Sequence, residues 1–508
     1  ITEVVSFVGS LPAGSALAPD DAPARAALTA AMLDKGTENR DRFAIAESLN
    51  RMGADIGFSA GAHTVTFSGN FLGSDAGRVM ELLADQLRRP AFPPGVLETL
   101  KSRRITNLLK ATEDPDFRAG NQLHRMLYPK GHPNYAHRAE TVIESVGATE
   151  AADLAAFHDA HYGTAAMRLV FAGDIDFEQL TAAVGAAFEG WSGGADYPDD
   201  WPAAKANQSR AETIPIDDKT SVSVRMGLHT GLRRTDDDYL PFRVGNYILG
   251  GGFESRLMSE VRKQRGLTYD IRSGHSGDIL APGHWSLGAS FAPGRLDRGL
   301  AATRAVLADW ANNGVTPDEV DAALRTLSGK YVVSLSTTGR VAGQVHSFLQ
   351  RGFDADYIDR YTDDLTQVRP DDVNRTIRDY FDPSALALVT AGSLPDGGGS
   401  DDEAGRSISV RLDVPHAGWR IGIERVYRTP ESWVAVSRLT ESADPAAQVI
   451  STVSDSVNVE ASGDDRPVRH YVIGKQWNWG GGGSHTFVDS MDDVPTDGTL
   501  VYEKPANP

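Results

Sequence analysis

The sequence predicts an α+β fold: two duplicated α/β sandwich modules followed by a small all-β, sandwich-like domain. Three observations lead there. Helices and strands recur in one order in two stretches offset by about 220 residues, a period that marks duplicated domains and not a solenoid. The two stretches also close alike, on AFHDAHYGTAAMRLVFAGDID and on IRDYFDPSALALVTAGSLP: a helix ends in aromatic or His-Tyr residues, a turn follows, and a buried strand closes on Ala-Gly. Beyond Gly405 only strand-like runs remain, separated by turn residues. The resulting boundaries are 1–193, 213–393 and 406–508.

In the first copy, ARAALTAAMLDKG reads as a helix stopped by Gly36, and RFAIAESLNRMG as one stopped by Gly53. ADIGFSA and HTVTFSGNF alternate like strands. Helical stretches follow in DAGRVMELLADQLRRP, VLETLKSRRITNLLKA, FRAGNQLHRML and GATEAADLAAFHDAHY; MRLVFAGDID is a strand and FEQLTAAVGAAFEGW a closing helix. SGGADYPDDWPAAKANQSRAE, rich in Gly, Pro and Asp, reads as a linker. The second copy runs SVSVRMGL (strand), DDYLPFRVGNYIL and ESRLMSEVRKQ (helices), GLTYDIRSG and HWSLGASF (strands). Long helical stretches from Arg295 to Ala311 and from Pro317 through Leu349, the helix PDDVNRTIRDYF and the strand ALALVTAG complete it. LPDGGGSDDEAG is a second linker.

Composition removes several function classes. A net charge of −19 repels nucleic-acid phosphates and anionic lipid, so no nucleic-acid partner is expected. The acids are spread along the chain, which fits a solvated surface; a taste for cationic peptides is the sharper alternative. No apolar run nears the roughly 20 residues of a membrane span. With no cysteine, disulfides and thiolate metal sites are excluded, and the compartment stays open between bacterial periplasm and cytoplasm.

MLDKGTENR, MGADIGFSAGAHTVTFSGNF, YPKGHPNYAHRAETVIESV and HYGTAAMRLVFAGDID resemble segments of the pitrilysin/insulinase (inverzincin) zinc metallopeptidases, and ILGGGFESRLMSEVRKQRGLTYDIRSG is the strongest match. The resemblance covers about Val4 to Gly392; the β-domain, of unknown role, lies outside it. Active members carry His-x-x-Glu-His on the first helix and a further Glu on a later one. The two imidazoles and the distant carboxylate hold Zn²⁺, and the motif Glu serves as general base. Counted back from Lys35-Gly36-Thr37, those positions are Ala27, Ala30 and Ala31, and the later one falls near Leu108. No metal and no cofactor is therefore expected in this chain. The family's opposite module supplies an Arg and a Tyr, which resemble Arg262 and Tyr269; both can donate to a carbonyl oxygen gaining charge. By residue type alone they read as a surface arginine and a half-buried strand tyrosine.

Other residues have two readings. Gly250, Gly251 and Gly252 either let a peptide backbone approach or end a helix as a hinge. His158 and His161 stand one turn apart like a metal pair but match the family's helix end. His132 and His137 lie in a loop that reads as a turn. Trp477 and Trp479 form either an exposed patch or β-domain packing.

The resemblance implies two halves around a chamber, in one chain or two, with zinc in one half. This chain then reads as the non-catalytic half or subunit. It encloses peptide and lends Arg262 and Tyr269 to a zinc-binding partner. Rival readings are a structural or assembly protein with the peptidase fold, and a peptide-binding protein. The chain opens directly on a strand where the family has an earlier strand–turn–strand, so a fragment, a processed piece or a partner-completed module is expected.

Overall fold

The computed structural model describes residues 3–194, 196–198, 200–394, 405–416, 418–442, 451–460, 466–477 and 485–504. Two compact units result, Ile1–Ser393 and Leu394–Pro508.

In the first unit, β1 (Val4–Leu11), β2 (Asp55–Ala60), β3 (Val65–Leu72) and β4 (Arg168–Gly173) form a sheet in the order β2-β3-β1-β4. A second sheet contains β5 (Arg210–Pro215), β6 (Val222–His229), β7 (Thr268–Ser276), β8 (His284–Phe291) and β9 (Ala387–Gly392), in the order β5-β9-β6-β8-β7. Without β5 the two orders are the same, so the repeat seen in the sequence is a repeat of topology. β5 corrects one expectation. The stretch through Glu212 reads as linker, yet Arg210–Pro215 pairs in parallel with β9. Its mostly exposed, polar side chains hide an edge strand whose order comes from backbone pairing. Upstream of it, residues without regular structure are still tied down: the Tyr197 hydroxyl donates to the His63 carbonyl at 2.8 Å, and the Lys205 N–H to the Leu127 carbonyl at 2.9 Å.

Alternation along each central strand explains the layers. Val5, Phe7 and Leu11 of β1 point into a core with Val79, Leu83 and Leu87 of the helix Ala76–Arg88. Burying each such side chain contributes about 1.5–3 kcal/mol. The opposite face of β1 carries Ser6 and Ser10, and a helix of the second half, Thr338–Gln350, lies across it. Ser6 Oγ is 2.7 Å from Thr338 Oγ1, and Ser10 Oγ is 2.8 Å from His346 Nε2. The second sheet repeats the arrangement with a helix of the first half, Pro115–Leu127. Ser223 Oγ donates to Asp116 at 2.8 Å, and Leu123 sits where a side chain on Gly227 would go. Ala119, Leu123, Met126 and Leu127 share one buried cluster with Ala387, Val389 and Ala391 of β9. Each half thus lends a helix to the other's sheet.

The second unit is all β. β10 (Gly405–Val414) pairs with β13 (Ser451–Glu460). β11 (Trp419–Arg428), β12 (Trp433–Glu441), β14 (Val468–Ile473), β15 (His485–Val488) and β16 (Thr499–Glu503) form a sheet in the order β15-β14-β12-β11-β16. Ile408, Val410 and Leu412 pack on Ile423, Val426 and Trp433, while Val434 and Val436 face a second cluster with Ile473 and Val494. The two layers make the expected sandwich-like module. Trp477 meets Trp419 edge-on at 5.2 Å and packs on this core, while Trp479 and most of the Gly/Asp-rich linker lie outside the described residues.

Candidate functional site

On the first module's helix Arg25–Met32, Ala30 is buried and Ala27 and Ala31 are half-buried. Leu28 and Met32 join Phe92, Leu97, Val146 and Leu154 in an apolar cluster against which Leu108 packs. Three methyl groups and an isobutyl group offer no lone pair, so these residues do not fit a zinc ion. Among the described residues no group of three His, Cys, Asp or Glu side chains could hold a metal. The segment after the helix keeps its shape through Asp85, whose buried carboxylate accepts from Thr37 Oγ1 at 2.7 Å and from Asn39 Nδ2 and Arg40 Nη1 at 2.8 Å. Burial alone would raise this carboxyl, but the three donors outweigh it and hold it below the usual range.

The second module brings Arg262 and Tyr269 together. Arg262 stands in a π-helical turn, Met258–Gln264, and a second such turn, Tyr247–Gly251, precedes it; π-turns recur at functional sites. Tyr269 falls where the pairing of edge strand β7 with β8 shifts register, between Thr268 and Ile271. Such a bulge re-aims a side chain, and the phenol is 83% exposed. The Arg262 guanidinium lies 4.9 Å from the Tyr269 ring and 5.1 Å from the ring of Phe253, itself 61% exposed. Phe253 is a residue that sequence reasoning missed; the signal available was a large aromatic directly after three glycines. Arg256 anchors the loop, gripping Glu319 through Nε at 2.8 Å and Nη2 at 2.7 Å.

Gly250, Gly251 and Gly252 are explained by their own chain. A side chain on Gly250 would meet Ser273 Oγ at 2.4 Å and the Ser273 backbone N at 2.7 Å, and one on Gly252 would meet the Tyr247 hydroxyl at 2.9 Å. Beside the loop, a cleft of about 540 Å³ runs over the second sheet, with Ser286, Gly288 and Ser290 on its floor and Arg225, Asp270 and Arg272 on its walls.

Two family models cover most of the first unit: "Insulinase (Peptidase family M16)" matches residues 5–136 and "Peptidase M16 inactive domain" residues 149–327. The chain belongs to the M16 peptidase family. Among M16 relatives, an uncharacterized zinc protease of Streptomyces coelicolor is 26% identical over 69% of this chain and 76% of its own length. The non-peptidase homolog YmxG of Helicobacter pylori is 21% identical over 74% of this chain and 86% of its own. A solved peptidase M16 inactive domain from Pseudomonas fluorescens superposes with a TM-score of 0.70 at 27% identity, over 77% of this chain and 93% of that one. The periplasmic protease PqqL of Escherichia coli shares the fold at a TM-score of 0.65 and 14% identity, over 78% of this chain and 43% of that one. This M16 chain is thus a non-catalytic protein of the peptidase fold. Among its described residues no helix is long and apolar enough to cross a membrane.

The four histidines singled out in the sequence each contact residues of this M16 chain itself. His158 donates to the Leu87 carbonyl at 2.8 Å, and His161 lies against Phe157. His132 occupies a turn, accepting from the Asn134 N–H at 3.0 Å, and His137 abuts Tyr135. His132 also stacks on Tyr128 at 4.2 Å, and Tyr128 reaches His284 Nδ1 at 2.9 Å. With His124, 4.9 Å from His284, they fill the seam between the two halves. Burial, and then neighbouring histidines, push His132 down to about 4 and His284 well below the ordinary value.

Proposed function

We propose that this chain is the non-catalytic half of a two-part M16 peptidase, enclosing peptide with a zinc-bearing half and presenting Arg262 and Tyr269 to the scissile carbonyl held there. One observation carries the reading: a phenol that is 83% exposed beside a guanidinium, in a chain whose zinc-ligand positions are alanine. An exposed guanidinium–phenol pair edged by an apolar ring fits a surface completed by another molecule. The carbonyl oxygen gains negative charge on attack. Tyr Oη–H and Arg Nη–H then donate most strongly, which lowers the barrier more than it tightens substrate binding. Gly250, Gly251 and Gly252 serve this surface by letting its loop lie flat on Ser273 and Tyr247. The serine-floored cleft beside it suits a peptide backbone.

The test pairs the purified chain with an M16 subunit from the same source that keeps His-x-x-Glu-His. Tyr269→Phe and Arg262→Ala should each lower kcat more than they raise KM, by roughly a hundredfold for loss of one donor. Unchanged turnover in both variants, each shown folded, would leave an assembly or peptide-binding role without catalysis. That is the reading nearer the non-peptidase relative.

A further inference from the structure

The helices Tyr239–Asn246, Pro317–Ser334, Thr338–Gln350 and Tyr357–Thr366 meet around a cavity of about 300 Å³. Its walls are aromatic: the Tyr331 and Tyr361 rings lie 4.3 Å apart, and Phe348 meets Tyr357 edge-on at 4.8 Å. Three cations line it, of which Arg234 is paired with Asp278 and the other two are Arg243 and Lys330. Arg243 stands over the Tyr361 ring at 5.3 Å and donates to its hydroxyl. Lys330, at the exposed rim, donates to the Tyr247 hydroxyl at 3.0 Å. Among the described residues neither Arg243 nor Lys330 pairs with a carboxylate, although the chain carries a net charge of −19. The nearby buried Asp278 is already claimed by Arg234 at 3.1 Å and Arg351 at 3.6 Å.

We propose that this cavity binds a small aromatic carboxylate, its acid group between Arg243 and Lys330 and its ring among Tyr331, Phe348, Tyr357 and Tyr361. The chemistry follows from the walls. A guanidinium with one N–H on a phenol keeps further donors for a carboxylate, and charge-assisted bonds of this kind are the strong ones. Aromatic faces favour a flat ring over an aliphatic chain. Burial, and next the neighbouring Tyr361 or Asp364, push Tyr331 and Tyr357 up to about 12, so both phenols stay protonated and repel no anion. The volume is at the low end for ligand pockets and suits one ring with a short acid arm. Lys330 reaches Tyr247, whose ring fills the space beside Gly251 and Gly252. Occupancy is therefore felt one contact away from the Phe253–Arg262–Tyr269 surface, but the site does not depend on that surface's role.

Calorimetric titration of the full chain with 4-hydroxyphenylacetate tests this, with tyramine (same ring, opposite charge) and cyclohexylacetate (same charge, no aromatic face) as comparators. Saturable binding of the aromatic acid is expected, weaker binding of cyclohexylacetate, and none of tyramine. Arg243→Met and Lys330→Met should each weaken binding by about tenfold or more. Lys330 is exposed, so its variant should melt like the parent and keeps the test independent of folding. No saturable binding of the aromatic acid at millimolar concentration, equal binding of either comparator, or undiminished affinity in both variants would overturn the proposal.

Discussion

Acid should loosen the first unit well before its carboxylates titrate. His132, His275 and His346 are each pushed down from 6.5 to about 4, chiefly by burial. Neighbouring charges add to this: His229 and His63 beside His132, Arg234 beside His275, and Arg168 and Arg351 beside His346; Asp278 beside His275 works against it. All three are neutral in the fold, while in the unfolded chain they take up protons as pH falls through about 6.5. Their stability is therefore complete above that value, drains away between 6.5 and 4, and is lost below. At pH 5 a single histidine with this shift forfeits about 2 kcal/mol. The three, taken as independent, forfeit about 6 kcal/mol, and buried His284 adds to the loss with the same sign, against the 5–15 kcal/mol that typically separates folded from unfolded. The paired carboxylates of Asp85, Asp116 and Asp278 are held low and withdraw their support only at more acid pH, so this interval isolates the histidines. For a unit of this size the unfolding entropy is roughly 0.8 kcal/mol per degree, which turns the share of these three histidines into a fall in Tm of about 7 °C. Scanning calorimetry at pH 7.5 and 5.0 reads it. His346→Gln cannot charge and keeps a donor for Ser10 Oγ, so it should recover about 2 kcal/mol of the loss, the remainder belonging to the other buried histidines. A first-unit Tm unchanged to within a degree would refute the argument, as would a His346→Gln variant that falls as far as the parent.

Three further outcomes follow from the packing. Gly250→Ala drives a methyl group into the backbone of β7, where Ser273 N lies 2.7 Å away and cannot swing aside; it should cost about 3 kcal/mol by urea titration. The purified chain should take up no stoichiometric zinc and show no chelator-sensitive peptide cleavage, because Ala27, Ala30, Ala31 and Leu108 present only carbon; metal analysis after dialysis against zinc checks it. Residues 1–393 expressed without the β-module should melt cooperatively near the parent's first transition, since they form a compact unit with their own cores.

What the sequence made legible was local. Strands announced themselves by alternation, as in HTVTFSGNF, and helices by their stops, as at Gly53, which takes the left-handed conformation. That Arg262 and Tyr269 would lie side by side could be read because both fall in one short motif. Three things could not. RAETIP has the composition of a linker, and only its parallel neighbour β9 makes it a strand. The glycine triplet showed that something comes close, but not that Ser273 and Tyr247 are what does. His132 and His284 are far apart in the chain, so no spacing foretold that they would meet through Tyr128 in one seam.

The exchanged helices bear on how such a chain is made and where it came from. Residues 115–127 emerge early in synthesis but find their seat on β6 and β9 only when residue 392 has been made, while β1 waits for residues 338–350. Contacts of such long range slow folding and leave apolar surface uncovered in the meantime. Before the duplication, a lone module would have had a bare sheet face and a spare helix, each fitting the other on a second copy. In the present chain the two halves satisfy each other in this way, helix 115–127 on the second sheet and helix 338–350 on the first.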